Sequence, residues 1–268
     1  MLINGVSESA ISALDRGLAY GDGHFTTLLV REGKALAWPQ HLARLQQGCE
    51  RLAITAPDWR HVAAELDILI ADQALGVAKI VLTRGVGGRG YDGTACHQTN
   101  RIISLSPYPG HYVGWQQQGI AIGVCQQRIG DSPMLAGLKT LNRLEQVLLK
   151  GELAQQGAVE GIVLNCRGFL VEGVSANLFW RRDMTVFTPD LSHGGVDGIM
   201  RRQVMATLRK MGIELRIVEA PLESLWQAEE VWLTNTLMGV VPITQIEHKE
   251  YSAQLLVRRL QERLLIEV

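Results

Sequence analysis

The run PYPG at residues 107–110 is the feature that most restricts how this chain folds. Proline fixes φ and removes an amide donor, while glycine relaxes the backbone, so neither a strand nor a helix runs through it. Each side carries its own strand and helix patterns, and 268 residues exceed the usual size of one hydrophobic core. The expected organisation is an N-terminal α+β domain over 1–107, a linker over 108–117 and a C-terminal α/β domain over 118–268. The fold class is therefore α/β with α+β elements.

In the first part, HFTTLLV and KALAW flank the turn REGK and read as a hairpin. Leu42, Leu45, Cys49 and Leu52 then recur at helical spacing behind Pro39, and a second helix is expected from about Val62 to Leu75. The β-rich segments AKIVLTRG and RIISLSPY enclose the glycine-rich loop GVGGRGY. The second part opens with the strand GIAIGVCQQ. It continues with a helix over Asn142–Gln155, the hairpin EGIVLNCRGFLVEG, the strand NLFWRR and a helix starting near DGIMRRQ. The strands IELRIVEA and EVWLTN and a closing helix around QLLVRRLQERLL complete it.

A net charge of -1 gives no general electrostatic reason to bind nucleic acid or an anionic membrane, so a charged ligand has to be met locally. The four cysteines, Cys49, Cys96, Cys125 and Cys166, lack the paired spacing of a zinc site or disulfide framework and suit a reducing compartment. No metal site is expected. The opening residues MLINGVSESA carry no basic leader, and no apolar run reaches the roughly 20 residues needed to cross a bilayer, so the expectation is a cytoplasmic, soluble protein.

Chemistry concentrates in a few segments. Lys139 follows the small, flexible approach DSPMLAG and precedes a helix. A lysine that condenses with a carbonyl attacks as the neutral amine, which partial desolvation or a nearby positive field favours. Glu172, in VEGVSANLF, offers a carboxylate for a protonated ring nitrogen. Anion donors are offered by the amides of Gly198 and Ile199 at a helix start, by Thr234 and Thr236 after a strand, and by Arg44 on the first-domain helix.

Taken in order, ALDRGLAYGDGHFTTLLV, HLARL, GLKTLNRLEQ, VEGVSANLFW, DGIMR and TNTLMGVVPI resemble the fold-type IV family of pyridoxal-phosphate enzymes, over nearly the whole chain. That resemblance implies two domains with the active site at their interface, a homodimer, and pyridoxal 5'-phosphate as cofactor. It also implies roles: Lys139 as Schiff-base lysine and catalytic base, Glu172 as partner of the ring nitrogen, and Arg44, Gly198, Ile199 and Thr236 as phosphate ligands.

Within the family, GDGHFTT, KTLNRLEQ and TRGVGGRGY resemble its aminodeoxychorismate lyases more than its aminotransferases. Thr26 stands where the transaminases often carry glutamate. The implied reaction releases pyruvate and 4-aminobenzoate for folate synthesis, the alternative being transamination of D- or branched-chain amino acids on the same cofactor site. Elimination rewards a hydroxyl at the departing oxygen, and Thr27 is the expected group. Arg89 and Tyr91 are the expected substrate-binding residues for a small molecule with two carboxylates, with Arg84 and Arg143 as possible second clamps.

Overall fold

The computed structural model describes residues 1–266. Two compact units are present: one holds Met1–Pro109 together with Lys139–Arg143, the other Gly110–Leu138 and Leu144–Val268.

The first unit runs β1 (Leu2–Ile3), α1 (Arg16–Tyr20), β2 (Gly23–Arg31), β3 (Lys34–Ala35), α2 (Trp38–Arg51), α3 (Trp59–Ile70), β4 (Leu75–Thr83) and β5 (Asn100–Pro107). The strands form an antiparallel sheet in the order β1-β5-β4-β2-β3. Its core joins Leu28, Val30, Ala78, Ile80, Leu82 and Ile103 from the sheet to Leu45 and Cys49 of α2 and Val62, Leu66 and Ile70 of α3. Pro39 sits in the first turn of α2, where its missing amide costs no helical hydrogen bond. The second helix ends at Ile70 rather than Leu75, because Leu75 already pairs with Arg31 and begins β4.

The second unit runs α4 (His111–Gln118), β6 (Ile120–Val124), α5 (Leu144–Gln155), β7 (Gly161–Leu164), β8 (Leu170–Gly173), β9 (Asn177–Arg182), β10 (Thr185–Pro189), α6 (Ile199–Lys210), β11 (Glu214–Val218), α7 (Glu223–Trp226), β12 (Glu230–Asn235), β13 (Gly239–Ile246), β14 (Lys249–Glu250) and α8 (Leu255–Ile266). Its sheet has the order β11-β10-β9-β12-β13-β6-β7-β8, with β14 on β13. Helices α6 and α8 bury Val204, Leu208, Val257 and Leu260 against Phe179 and Trp232, whose rings stack in β9 and β12.

Two expectations are corrected. Most of the segment expected as a linker is helix α4, with Tyr112 and Trp115 packed on the second core, so the boundary falls between Pro109 and Gly110. The lysine segment 139–143 belongs with the first unit, not with the C-terminal domain to which its place in the chain assigns it. The reason is backbone pairing to β2, and α5 accordingly begins at Leu144 instead of Asn142.

Candidate active site

Successive residues of a strand point to opposite faces, so the two adjacent threonines of β2 are separated by the pleat. Thr26 faces α2 with His24, Leu28 and Val30, all buried. Its Oγ1 lies 2.6 Å from His41 Nδ1. Thr27 occupies the other face with Phe25 and Leu29, half-buried, and stands directly opposite Lys79 of β4.

Lys139 reaches this region through its main chain. The Phe25 amide donates to the Lys139 carbonyl (2.9 Å) and the Leu141 amide donates to the Gly23 carbonyl (3.0 Å), with a bridge between His24 and Thr140. The segment thus extends the edge of β2. Lys139 Nζ lies 4.6 Å and Lys79 Nζ 4.7 Å from the centre of the Phe25 ring, an arrangement in which the electron-rich ring attracts both cations. Arg143 buttresses the same segment, donating from Nε to the Thr140 carbonyl (3.1 Å) and from Nη2 to Thr140 Oγ1 (3.0 Å).

Behind β2, the buried face of α2 presents His41, Arg44, Leu45, Gly48 and Cys49. Gly48 is required by proximity: a Cβ there would lie 2.4 Å from His24 Nδ1. Burial pushes His24 down to about 4, and burial with the nearby Arg44 charge pushes His41 down to about 3. Both imidazoles are neutral at physiological pH, and the His41 Nε2 atom has no hydrogen-bond partner among the described residues.

Of the loop residues, Arg89 and Tyr91 are exposed. Arg84 is otherwise engaged: it donates to Asp22 (2.7 Å) and to the carbonyls of Leu52 (2.7 Å) and Ala53 (2.6 Å), so it braces the end of α2 and is no substrate clamp.

The second unit gathers three of the sequence motifs. Glu172, buried on β8, accepts the Val196 amide at Oε2 (2.9 Å), with Asn177 Nδ2 at 3.5 Å from the same oxygen. Asn177 Nδ2 also donates to the Val196 carbonyl (2.7 Å). Next in line is Gly198, the N-cap of α6, which has no side-chain cap; Ile199 opens the helix. A Cβ on Gly198 would lie 1.9 Å from Asn177 Oδ1, so only glycine lets the helix start this close. The carboxylate of Asp197 is bound by Arg201 (2.9 Å) and Arg202 (2.8 Å).

Across the sheet, Asn177 pairs with Thr234. The following turn is built on Asn235, whose Oδ1 accepts the amides of Leu237 (2.9 Å) and Met238 (2.8 Å) and whose Nδ2 donates to the Ser175 carbonyl (3.2 Å). Thr236 stands in that turn. Glu172, the α6 start and the Thr236 turn are therefore one connected assembly. Lys139 and Thr27 share the β2 region of the first unit, with Arg44 on α2 behind it.

Lys79 and Asn177 were not legible as candidate site residues, nor was the structural hydrogen bond between Thr26 and His41. A lysine in an apolar strand run reads as a solvated charge, and only the register opposite Thr27 singles it out. Among the described residues no cluster of His, Cys, Asp and Glu is arranged to hold a metal ion.

The aminodeoxychorismate lyase of Vibrio harveyi is 37% identical over 98% of this chain and 97% of its own length. The crystal structure of 4-amino-4-deoxychorismate lyase from Pseudomonas aeruginosa superposes with a TM-score of 0.94 at 40% identity, covering 100% of this chain and 98% of that one. The branched-chain amino acid aminotransferase from Escherichia coli shares the fold alone, with a TM-score of 0.85 at 22% identity over 98% of this chain and 92% of that chain. The amino-transferase class IV profile matches residues 23–246, and on that match the chain belongs to the class IV aminotransferase family.

Proposed function

We propose that this chain is a pyridoxal-phosphate-dependent lyase that converts 4-amino-4-deoxychorismate into 4-aminobenzoate and pyruvate, a step of folate synthesis. The observation that carries the reading is the β2 region, where Lys139 and Lys79 both lie over the Phe25 ring and Thr27, on the same face of the strand as Phe25, stands opposite Lys79. It suits a substrate that must lose a proton, an oxygen leaving group and carry two negative charges.

The residues present fit the cofactor. A helix start without a side-chain cap, entered through a glycine against which Asn177 packs, suits a phosphate, and a buried carboxylate suits a protonated ring nitrogen. Gly198, Ile199, Thr236 and Arg44 would hold the phosphate, Glu172 the ring nitrogen, and Lys139 the reactive carbon. When bound, pyridoxal phosphate supplies a ring that accepts the electron pair of a deprotonated carbon.

The chain's own groups then divide the work. Lys139 removes the proton from the amine-bearing carbon. Glu172 keeps the ring nitrogen protonated while its own oxygen is oriented by the Val196 amide. Thr27 donates a hydrogen bond from its hydroxyl to the enolpyruvyl oxygen as the bond from that oxygen to the substrate ring breaks, and the proton taken up by Lys139 passes to the departing enolate. The ring becomes aromatic, and the released enol becomes pyruvate. Lys79 meets one carboxylate as a point charge, with Arg89 and Tyr91 as the further substrate contacts.

The test follows pyruvate and 4-aminobenzoate together when purified protein receives aminodeoxychorismate without an amino acceptor. Equal amounts of both support the lyase; neither product sinks it, and conversion of an amino acid with a keto acid in its place favours the aminotransferase. We also propose a cytoplasmic homodimer. Leu144, Val147 and Leu148 of α5 are exposed and apolar, and among the described residues no helix is long and apolar enough to cross a membrane. Sedimentation at the monomer mass would refute the dimer.

A further inference from the structure

We infer that Arg16 is a positioning residue: it holds the glycine-rich loop that follows β4 in the one shape that presents Arg89 and Tyr91 to a substrate carrying two carboxylates. The inference rests on the lyase reading for the identity of that substrate, and on the first unit alone for its geometry.

The loop has little to hold itself. Gly85, Gly87, Gly88 and Gly90 all adopt positive φ, which glycine reaches readily, and glycine loses more freedom on ordering than any other residue. Tyr91 is 91% exposed, so no buried apolar anchor compensates. The tip closes through the Arg89 amide donating to the Asp92 carbonyl (3.2 Å), the Asp92 amide donating to the Arg89 carbonyl (3.1 Å), and the Thr94 amide (2.9 Å) and hydroxyl (2.7 Å) donating to Asp92 Oδ1.

Arg16 supplies the missing constraint from beneath. From a side chain only 6% exposed, its guanidinium donates to the carbonyls of Gly90 (2.8 Å), Tyr91 (3.2 Å) and Asp92 (3.4 Å), three consecutive residues of the tip. Its own amide donates to the Gly85 carbonyl (2.9 Å), so the start and the tip of the loop are tied to one residue. The charge is met by Asp22, which accepts Arg16 Nε at 2.9 Å and Arg84 Nε at 2.7 Å. The Tyr20 ring lies 4.8 Å below the Arg16 guanidinium and 5.6 Å from the Tyr91 ring, which backs the exposed tyrosine.

The base of the latch is rigid. Asp15, the N-cap of α1, accepts the Gly17 amide (2.7 Å) at one oxygen, and Thr83 of β4 and Asn100 of β5 (both 2.7 Å) at the other. Constraint thus runs from the sheet through Asp15 and Arg16 to the loop tip. A planar guanidinium can serve three carbonyls and a carboxylate at once; an ammonium on a flexible stem cannot keep that geometry.

The experiment compares full-length, cofactor-loaded wild type with Arg16→Lys and Arg16→Met. It measures KM and kcat with aminodeoxychorismate, and amide hydrogen exchange across residues 85–94 against β4 and β5. A latch predicts KM raised about tenfold with kcat changed less than about threefold, the methionine variant worse than the lysine one. Exchange should accelerate in the loop, including the Arg89 and Asp92 amides, and stay unchanged in the strands. Unchanged loop exchange overturns the inference, as does acceleration spread through the whole sheet, which would mark a residue needed only for folding. If Arg16→Met does not fold, Arg16→Lys decides by the same readings. If wild type releases no pyruvate, the lyase reading fails by itself and the latch stands or falls on exchange.

Discussion

Acid should destabilise this protein well above the pH at which its carboxylates protonate, and the cause is the pair of imidazoles under β2. His24 and His41 are almost fully buried, and their folded values lie at about 4 and about 3 against an ordinary 6.5. Values lowered on folding mean that the unfolded chain binds protons first. Stability is therefore complete above about pH 6.5 and declines as the pH falls towards those folded values. At about pH 5 each unfolded imidazole is almost wholly protonated and each folded one almost wholly neutral. The cost is then about 2 kcal/mol per histidine, or about 4 kcal/mol for the pair. That is a large share of the roughly 5–15 kcal/mol that holds a typical domain folded. Urea unfolding at about pH 7.5, 6 and 5 measures it, with a His24→Gln/His41→Gln double variant as the comparison. The variant should lose most of the decline even if it starts out less stable, because glutamine does not titrate. Equal pH dependence in both proteins, or wild type gaining stability on acidification, would refute the reasoning.

Lys139→Ala should abolish turnover and the borohydride-dependent fixation of cofactor to protein; retention of either would place the anchor elsewhere. Thr27→Val keeps the branched shape but deletes the hydroxyl, so pyruvate release should fall about tenfold to a thousandfold, or about 1.4 to 4 kcal/mol, with cofactor affinity preserved. Equal weakening of both would mean general damage. Thr26→Val, one residue away, should do the reverse: it strips His41 Nδ1 of its partner and should cost about 1–3 kcal/mol in urea unfolding while kcat stays close to wild type. Gly198→Ala should weaken cofactor binding at least about tenfold in an absorbance titration, because the new methyl occupies the place of Asn177 Oδ1; unchanged affinity would remove the α6 start from the phosphate site.

Local pattern carried much of this arrangement. Leu42, Leu45 and Cys49 announced α2 because one face of a helix must be apolar. Gly198 and Asn177 lay in segments already suspected, although their mutual contact needed coordinates. Helix α4 escaped because HYVGWQQQ buries no residue fully and shows no helical stripe; what holds it is the packing of Tyr112 and Trp115. The first-unit home of Lys139 escaped for a different reason. The partners of its segment, Phe25 for Lys139 and Gly23 for Leu141, lie more than a hundred positions earlier, and backbone pairing leaves no mark on side-chain pattern. Arg84 and Arg16 show the same limit in reverse: Arg84 stands beside the loop in sequence and braces α2, while Arg16, about seventy positions earlier, supports the tip, and only their carbonyl partners reveal it.

The way Lys139 is attached bears on how such a protein can change its reaction over evolutionary time. Its position is set by amide and carbonyl groups, which every amino acid except proline provides alike. Side chains at positions 25, 27 and 79 can therefore be exchanged without unfastening the lysine. New chemistry becomes a matter of redecorating one sheet surface around a stationary amine, a small mutational distance. A fold shared by proteins named as lyases and as aminotransferases is what such independence of anchor and decoration allows.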